Sequence, residues 1–198
     1  MCMGTALALQ KLHSSHKFHG DVQMSNCVSS VMNGGIIDLT YSEDVDREQI
    51  SPRWIPPEWE DHPQHYISSA YLDERQTADV YALGATFIEL HLGGYGAQSP
   101  DLVTAALEYI TMEKTRPPPE GQLANKQDLE FVDAVKQSLC RSPAARPPAS
   151  VVCTMLKKIY NVILLAEKLK KAASRLSRAL PFWHSSGVAI YYSRWSDK

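Results

Sequence analysis

His19-Gly20-Asp21-Val22-Gln23-Met24-Ser25-Asn26 is the stretch on which the reading of this chain turns. It sets an acidic residue five positions before an amide, between two apolar segments, so that Asp21 and Asn26 can converge on one phosphate-handling site. Upstream, residues 4–14 place Leu7, Leu9 and Leu12 among good helix formers and run into polar His13, Ser14 and Ser15. That pattern predicts a short, mostly buried helix entering the loop. Downstream, residues 27–39 hold two apolar clusters, Cys27-Val28 and Ile36-Ile37-Asp38-Leu39, divided by Met32-Asn33-Gly34-Gly35. Asn-Gly and Gly-Gly favour tight turns, so a small hairpin ending at Asp38 is expected.

Farther along, residues 41–50 are acidic and unpatterned, and residues 59–75 read as a polar surface loop. Residues 78–92 are apolar nearly all the way round a helix, with Val80, Leu83, Phe87, Ile88 and Leu90, so that helix is expected to be buried on most faces. Thr77 is its expected N-cap, and Asp79 sits in its first turn, where a carboxylate favours the helix dipole. Amphipathic helices follow over residues 100–111 and 128–140, separated by a Pro-rich loop at 116–125, and a further helix runs from Ala149 towards Lys158. From Ile159 an apolar series (Val162, Ile163, Ala166, Leu169) continues at helical spacing with Lys168, Lys170 and Lys171 on other faces.

The quoted loop resembles the catalytic loop of the eukaryotic protein kinases, H-R-D-L-K-x-x-N. Gly20 stands at the Arg and Gln23 at the Lys of that pattern. Asp38-Leu39-Thr40 is similar to the family's D-F-G. Arg53-Trp54-Ile55-Pro56-Pro57-Glu58 resembles the end of its activation segment, where A-P-E is commoner. Asp79-Val80-Tyr81-Ala82-Leu83-Gly84 matches its D-V-x-x-x-G helix, and Pro143-Ala144-Ala145-Arg146-Pro147 its P-x-x-R-P. The signals stand in family order over residues 4 to about 158.

The resemblance implies a mainly α fold of the α+β family: a protein-kinase-like large lobe over residues 1–158, with a small β-hairpin at the active-site edge. A basic amphipathic helical extension occupies residues 159–198. The resemblance also implies phosphoryl transfer from ATP to protein Ser/Thr hydroxyls, with Asp21 orienting the nucleophile and Asn26 and Asp38 holding Mg2+. Gln23 would stand where a Lys steadies the γ-phosphate. His19, Glu58, Asp79 and Arg146 would be structural: Asp79 would accept hydrogen bonds from the catalytic-loop backbone, and Glu58 would form a largely buried ion pair with Arg146. Nothing upstream of the loop supplies a Gly-rich phosphate loop or a strand Lys, so the alternative is a pseudokinase or interaction module without turnover.

Plainer readings stand beside these. Asp21 and Asn26 could satisfy turn backbone, and Asp38 could simply end a hairpin. His13, His16 and His19, spaced by three, invite a metal reading, but packing roles are preferred because no carboxylate or thiolate completes a set nearby.

The 198 residues are 44% hydrophobic and 21% charged, ordinary for one globular domain. Residues 1–156 carry 11 Lys/Arg against 20 Asp/Glu, and residues 157–198 carry 9 against 2, so an acidic body of about −9 precedes a tail of about +7. Cys2, Cys27, Cys140 and Cys153 make no CxxC pair, which favours a reduced, cytoplasmic setting. No uninterrupted apolar run reaches a membrane span. The expected partner is a protein substrate or a regulatory protein, and nucleic acid is not expected. The tail is expected to pack on the body, with a membrane surface as the less favoured partner.

Overall fold

The computed structural model describes residues 2–29, 34–39, 54–60, 72–91, 107, 108, 112 and 126–179. The expectations for residues 30–33, 41–53, 116–125 and 180–183, and for nearly all of the 100–111 helix, lie outside them. The described residues are mainly helical with one small antiparallel sheet. Helix α1 (Cys2–Ser14) leads through the quoted loop, which closes in a 3-10 turn at Met24–Asn26. Strands β1 (Cys27–Ser29) and β2 (Gly34–Ile36) follow, paired Cys27 to Ile36, Val28 to Gly35 and Ser29 to Gly34. Next come α2 (Pro57–Glu60), α3 (Leu72–His91), α4 (Lys126–Ser138), a 3-10 turn at Pro143–Ala145, and α5 (Ala149–Ala179).

Helix α3 is the centre. Every residue from Ala78 to Glu89 is buried, including Leu83, Ala85 and Phe87 at 0% exposure. Helix α4 packs across it, with Phe131 tilted against Phe87 at 6.1 Å between ring centroids. Gly84 permits the approach, since a Cβ there would stand 2.9 Å from the Ser138 Cβ. Helix α1 packs on α5 and β2, and α5 gives Ala149, Val152, Cys153, Leu156 and Ile159 to the same core.

Five expectations need correction. Helix α3 begins at Leu72, not near Ala78, because Asp73 and Glu74 make a favourable acidic first turn and no breaker follows. Thr77 is therefore no cap; its hydroxyl donates to the Asp73 carbonyl one turn back at 2.7 Å. Of the surface loop expected at 59–75, Trp59 is buried in α2 and residues 72–75 belong to α3, while residues 61–71 lie outside the described residues. Gly34 and Gly35 lie in β2 and not in the turn. The close approach at β2 instead requires glycine at Gly4 of α1, where a Cβ would come within 2.6 Å of the Gly34 carbonyl carbon.

The fifth correction concerns the tail. No Gly or Pro interrupts residues 149–179, so the last helix does not stop at the edge of the body but runs on as one element of 31 residues. At 1.5 Å per residue α5 is about 46 Å long, against about 20 Å for α1, on which it packs. Beyond Ile159 its apolar side chains are mostly exposed, Leu164 alone being half-buried among those described. Val162, Ile163, Leu165 and Leu169 are 44 to 61% exposed, so the apolar stripe does not cover the body.

Candidate functional site

Helix α3 carries a polar edge at Gln76, Asp79, Thr86 and Glu89, positions that return to one side of a helix. Along this edge the loop backbone is fastened in order. Gln76 Nε2 donates to the carbonyls of His13 (3.1 Å) and Lys17 (2.8 Å). The Asp79 carboxylate accepts the backbone N–H of His19 (2.6 Å) and of Gly20 (2.8 Å). His13 Nε2 donates to Asp79 Oδ2 at 3.0 Å. Thr86 Oγ1 donates to Ala82 O at 2.7 Å and lies 3.3 Å from Val22 O, and the Met24 N–H reaches Glu89 Oε2 at 3.4 Å. Asp79 is 2% exposed, so its bonds to N–H donors are charge-assisted and shielded from water. Gly20 answers a backbone need, since its φ of 85° lies in the left-handed region where an Arg would be strained.

His19 is fully buried and ties the loop to the hairpin. Its Nε2–H donates to Ile37 O at 2.9 Å, while Nδ1 accepts the Asp21 N–H at 3.2 Å, which fixes the Nε2–H tautomer. The Ile37 N–H in turn donates to Asn26 O at 2.9 Å. Both ends of the Asp21–Asn26 loop are thereby held against the residue before Asp38.

Asp21, Gln23 and Asn26 form one cluster. Asn26 Nδ2 donates to Asp21 O at 2.9 Å and to Asp21 Oδ2 at 3.0 Å, and Gln23 Nε2 donates to the same Oδ2 at 2.7 Å. Asp21 Oδ1 is buried and has no hydrogen-bond partner among the described residues. Asp21 also lines a crevice of about 10 Å³, with Gly20, Trp54 and Asp79 among its walls, room for about one water-sized group. Asp38 is exposed, at the end of the hairpin, and its φ of 64° ends the strand there. Asp tolerates that conformation better than most residues.

A roomier groove of about 350 Å³ lies elsewhere, lined by Gln10, His13, Gln76, Arg146 and Pro147 among others. Asp21 is not among its walls.

The remaining residues expected at the site are structural in placement. Arg146 grips Glu58 through both nitrogens, Nη1 to Oε1 at 2.6 Å and Nη2 to Oε2 at 2.5 Å, and its Nε donates to Cys140 O at 2.7 Å. The Arg146 side chain is fully buried and stacks over Tyr81 at 5.0 Å, while Glu58 is 22% exposed. Of the evenly spaced histidines, His13 goes to Asp79 and His19 to Ile37, while His16 is exposed at a φ of 54°. Among the described residues no cluster of three His, Cys, Asp or Glu side chains is placed to hold a metal. Cys27 donates to Gln23 O at 3.3 Å, and burial pushes its thiol pKa up.

Gln76, Thr86 and Glu89 were not singled out from sequence. The available signal was their spacing with Asp79, four polar residues on one edge of a helix otherwise too apolar to carry them. No protein-family profile matches the chain, and no curated protein matches it.

Proposed function

We propose that residues 1–158 are a protein-kinase-like large lobe, a fold that when complete transfers the ATP γ-phosphoryl to protein Ser/Thr hydroxyls. The observation that carries this reading is the Asp79 carboxylate accepting two successive loop amides, just ahead of a cluster in which Asn26 and Gln23 hold one oxygen of Asp21. In that reading Asp21 orients the substrate hydroxyl; its Oδ1, buried in the one-water crevice beside Trp54, would have to be uncovered for a protein hydroxyl to reach it. Asn26 turns its Nδ2 onto Asp21, which leaves its amide oxygen for a cation. Asp38 offers an exposed carboxylate at the end of the hairpin. One amide oxygen and one carboxylate suit Mg2+, which takes its remaining ligands from phosphates and water. Bound Mg-ATP would supply the phosphoryl group and neutralise its charge.

Turnover by this chain alone is expected to be undetectable. Gln23 is spent on Asp21 and brings no positive charge to a phosphate. Each missing stabilising group costs on the order of 100- to 1,000-fold in rate. The same observation favours the second reading, a pseudokinase that keeps the fold and binds a regulatory protein. A radiolabelled ATP assay on generic protein substrates, run with the parent and Asp21→Asn, separates the two. No transfer by either protein fits the pseudokinase; parental activity that vanishes in the variant overturns it and makes Asp21 catalytic.

A further inference from the structure

We infer that the exposed half of α5, residues 160–175, is a docking element for an anionic lipid surface. Val162, Leu165, Ala166 and Leu169 fall within about 100° of one another around the helix axis, and all four are exposed. Lys157, Lys168, Lys171 and Arg175 gather on the other side, and Lys170 stands at the border, where its stem can snorkel. Residues 157–175 hold six Lys/Arg and one Glu. An apolar stripe beside a basic face is the pattern of a helix lying in a headgroup layer.

Two features select this occupant. The segment Ala149–Arg175 is long and apolar enough to span a bilayer by length and composition, once Lys157 and Lys158 are tolerated within it. Its first turns, however, are locked in the core by Ala149, Val152, Leu156 and Ile159. The exposed apolar run from Tyr160 to Leu169 is about 15 Å long, half the thickness of a hydrocarbon core, so the helix lies on the membrane and does not cross it. Lastly, the body of about −9 is repelled by an anionic surface while the tail is attracted, and this polarity orients the chain tail-down.

Flotation of the full chain with vesicles of phosphatidylcholine, with or without phosphatidylserine, tests this. Binding is expected only with phosphatidylserine and is released by added salt. Replacing Lys168 and Lys171 by Gln lowers binding about 25-fold, taking about fivefold per basic residue near the surface. Leu165→Gln with Leu169→Gln abolishes it. All four side chains are exposed, so circular dichroism and melting stay at the parental values in both variants. The proposal is overturned by equal binding to neutral vesicles, by binding to neither, or by binding indifferent to the substitutions. Self-association that the leucine variants remove would give the stripe to a second copy and also overturn it.

Discussion

Helices α3 and α5 break the rule of apolar inside and polar outside in opposite directions. Helix α3 takes Asp79, Thr86 and Glu89 into the core, and each meets loop backbone there. Helix α5 leaves Val162, Ile163, Leu165 and Leu169 bare, and nothing in the described chain covers them. A buried polar group survives only with a partner, so the polar edge of α3 is addressed inward, to residues 13–24. An exposed apolar stripe carries no such requirement within the chain, so α5 is addressed outward. The contrast divides the molecule into a part that fixes geometry and a part that seeks a surface.

Mutations on the two sides of that division should differ in magnitude. Glu58→Ala strands the fully buried Arg146 guanidinium, and breaking such a pair costs about 3 to 5 kcal/mol. Urea unfolding should show the loss as a lower midpoint with unchanged slope; an unaltered midpoint would remove the pair from the inward-facing part. Gly4→Ala pushes a methyl into the Gly34 backbone, and overpacking of that kind costs about 1 to 3 kcal/mol. A melting temperature equal to the parent's would show that α1 and β2 are not held at that distance. Leu169→Gln touches only the exposed half of α5 and should change stability by less than about 0.5 kcal/mol. A larger loss would mean that the stripe is covered by the body after all, and the contrast between the helices would fail.

Local patterns made much of this legible. The helix before the loop, the buried character of α3 and the β1–β2 hairpin follow from apolar spacing and from the residues that bound it. The pairing of Glu58 with Arg146 and the contact of Asp79 with the loop came from the resemblance, and both contacts are present. What escaped was decided by tertiary approach. Gly34 and Gly35 look like turn residues until they are seen paired with Ser29 and Val28 of β1. Thr77 looks like a cap until the four residues of helix from Asp73 are seen ahead of it. The tail misled for a different reason: spacing reveals an apolar stripe but not whether anything is near enough to bury it, and Ile159 is the last buried residue of α5 among those described. Gln76, Thr86 and Glu89 were hidden because polar residues in an apolar helix read as noise until their partners are known.

The clearest trial of the inward-facing part is amide hydrogen exchange at His19 and Gly20, read by NMR in the parent and in Asp79→Asn. With the carboxylate in place, both N–H groups should exchange only through large-scale opening, like the core amides of α3. In the variant, which keeps the shape and loses the charge, exchange at both should quicken about 10- to 100-fold, the equivalent of a hydrogen bond to a charged group. Amides that exchange freely in the parent, or that keep their protection in Asp79→Asn, would show that Asp79 does not hold the loop, and the positioning of Asp21 would need another cause.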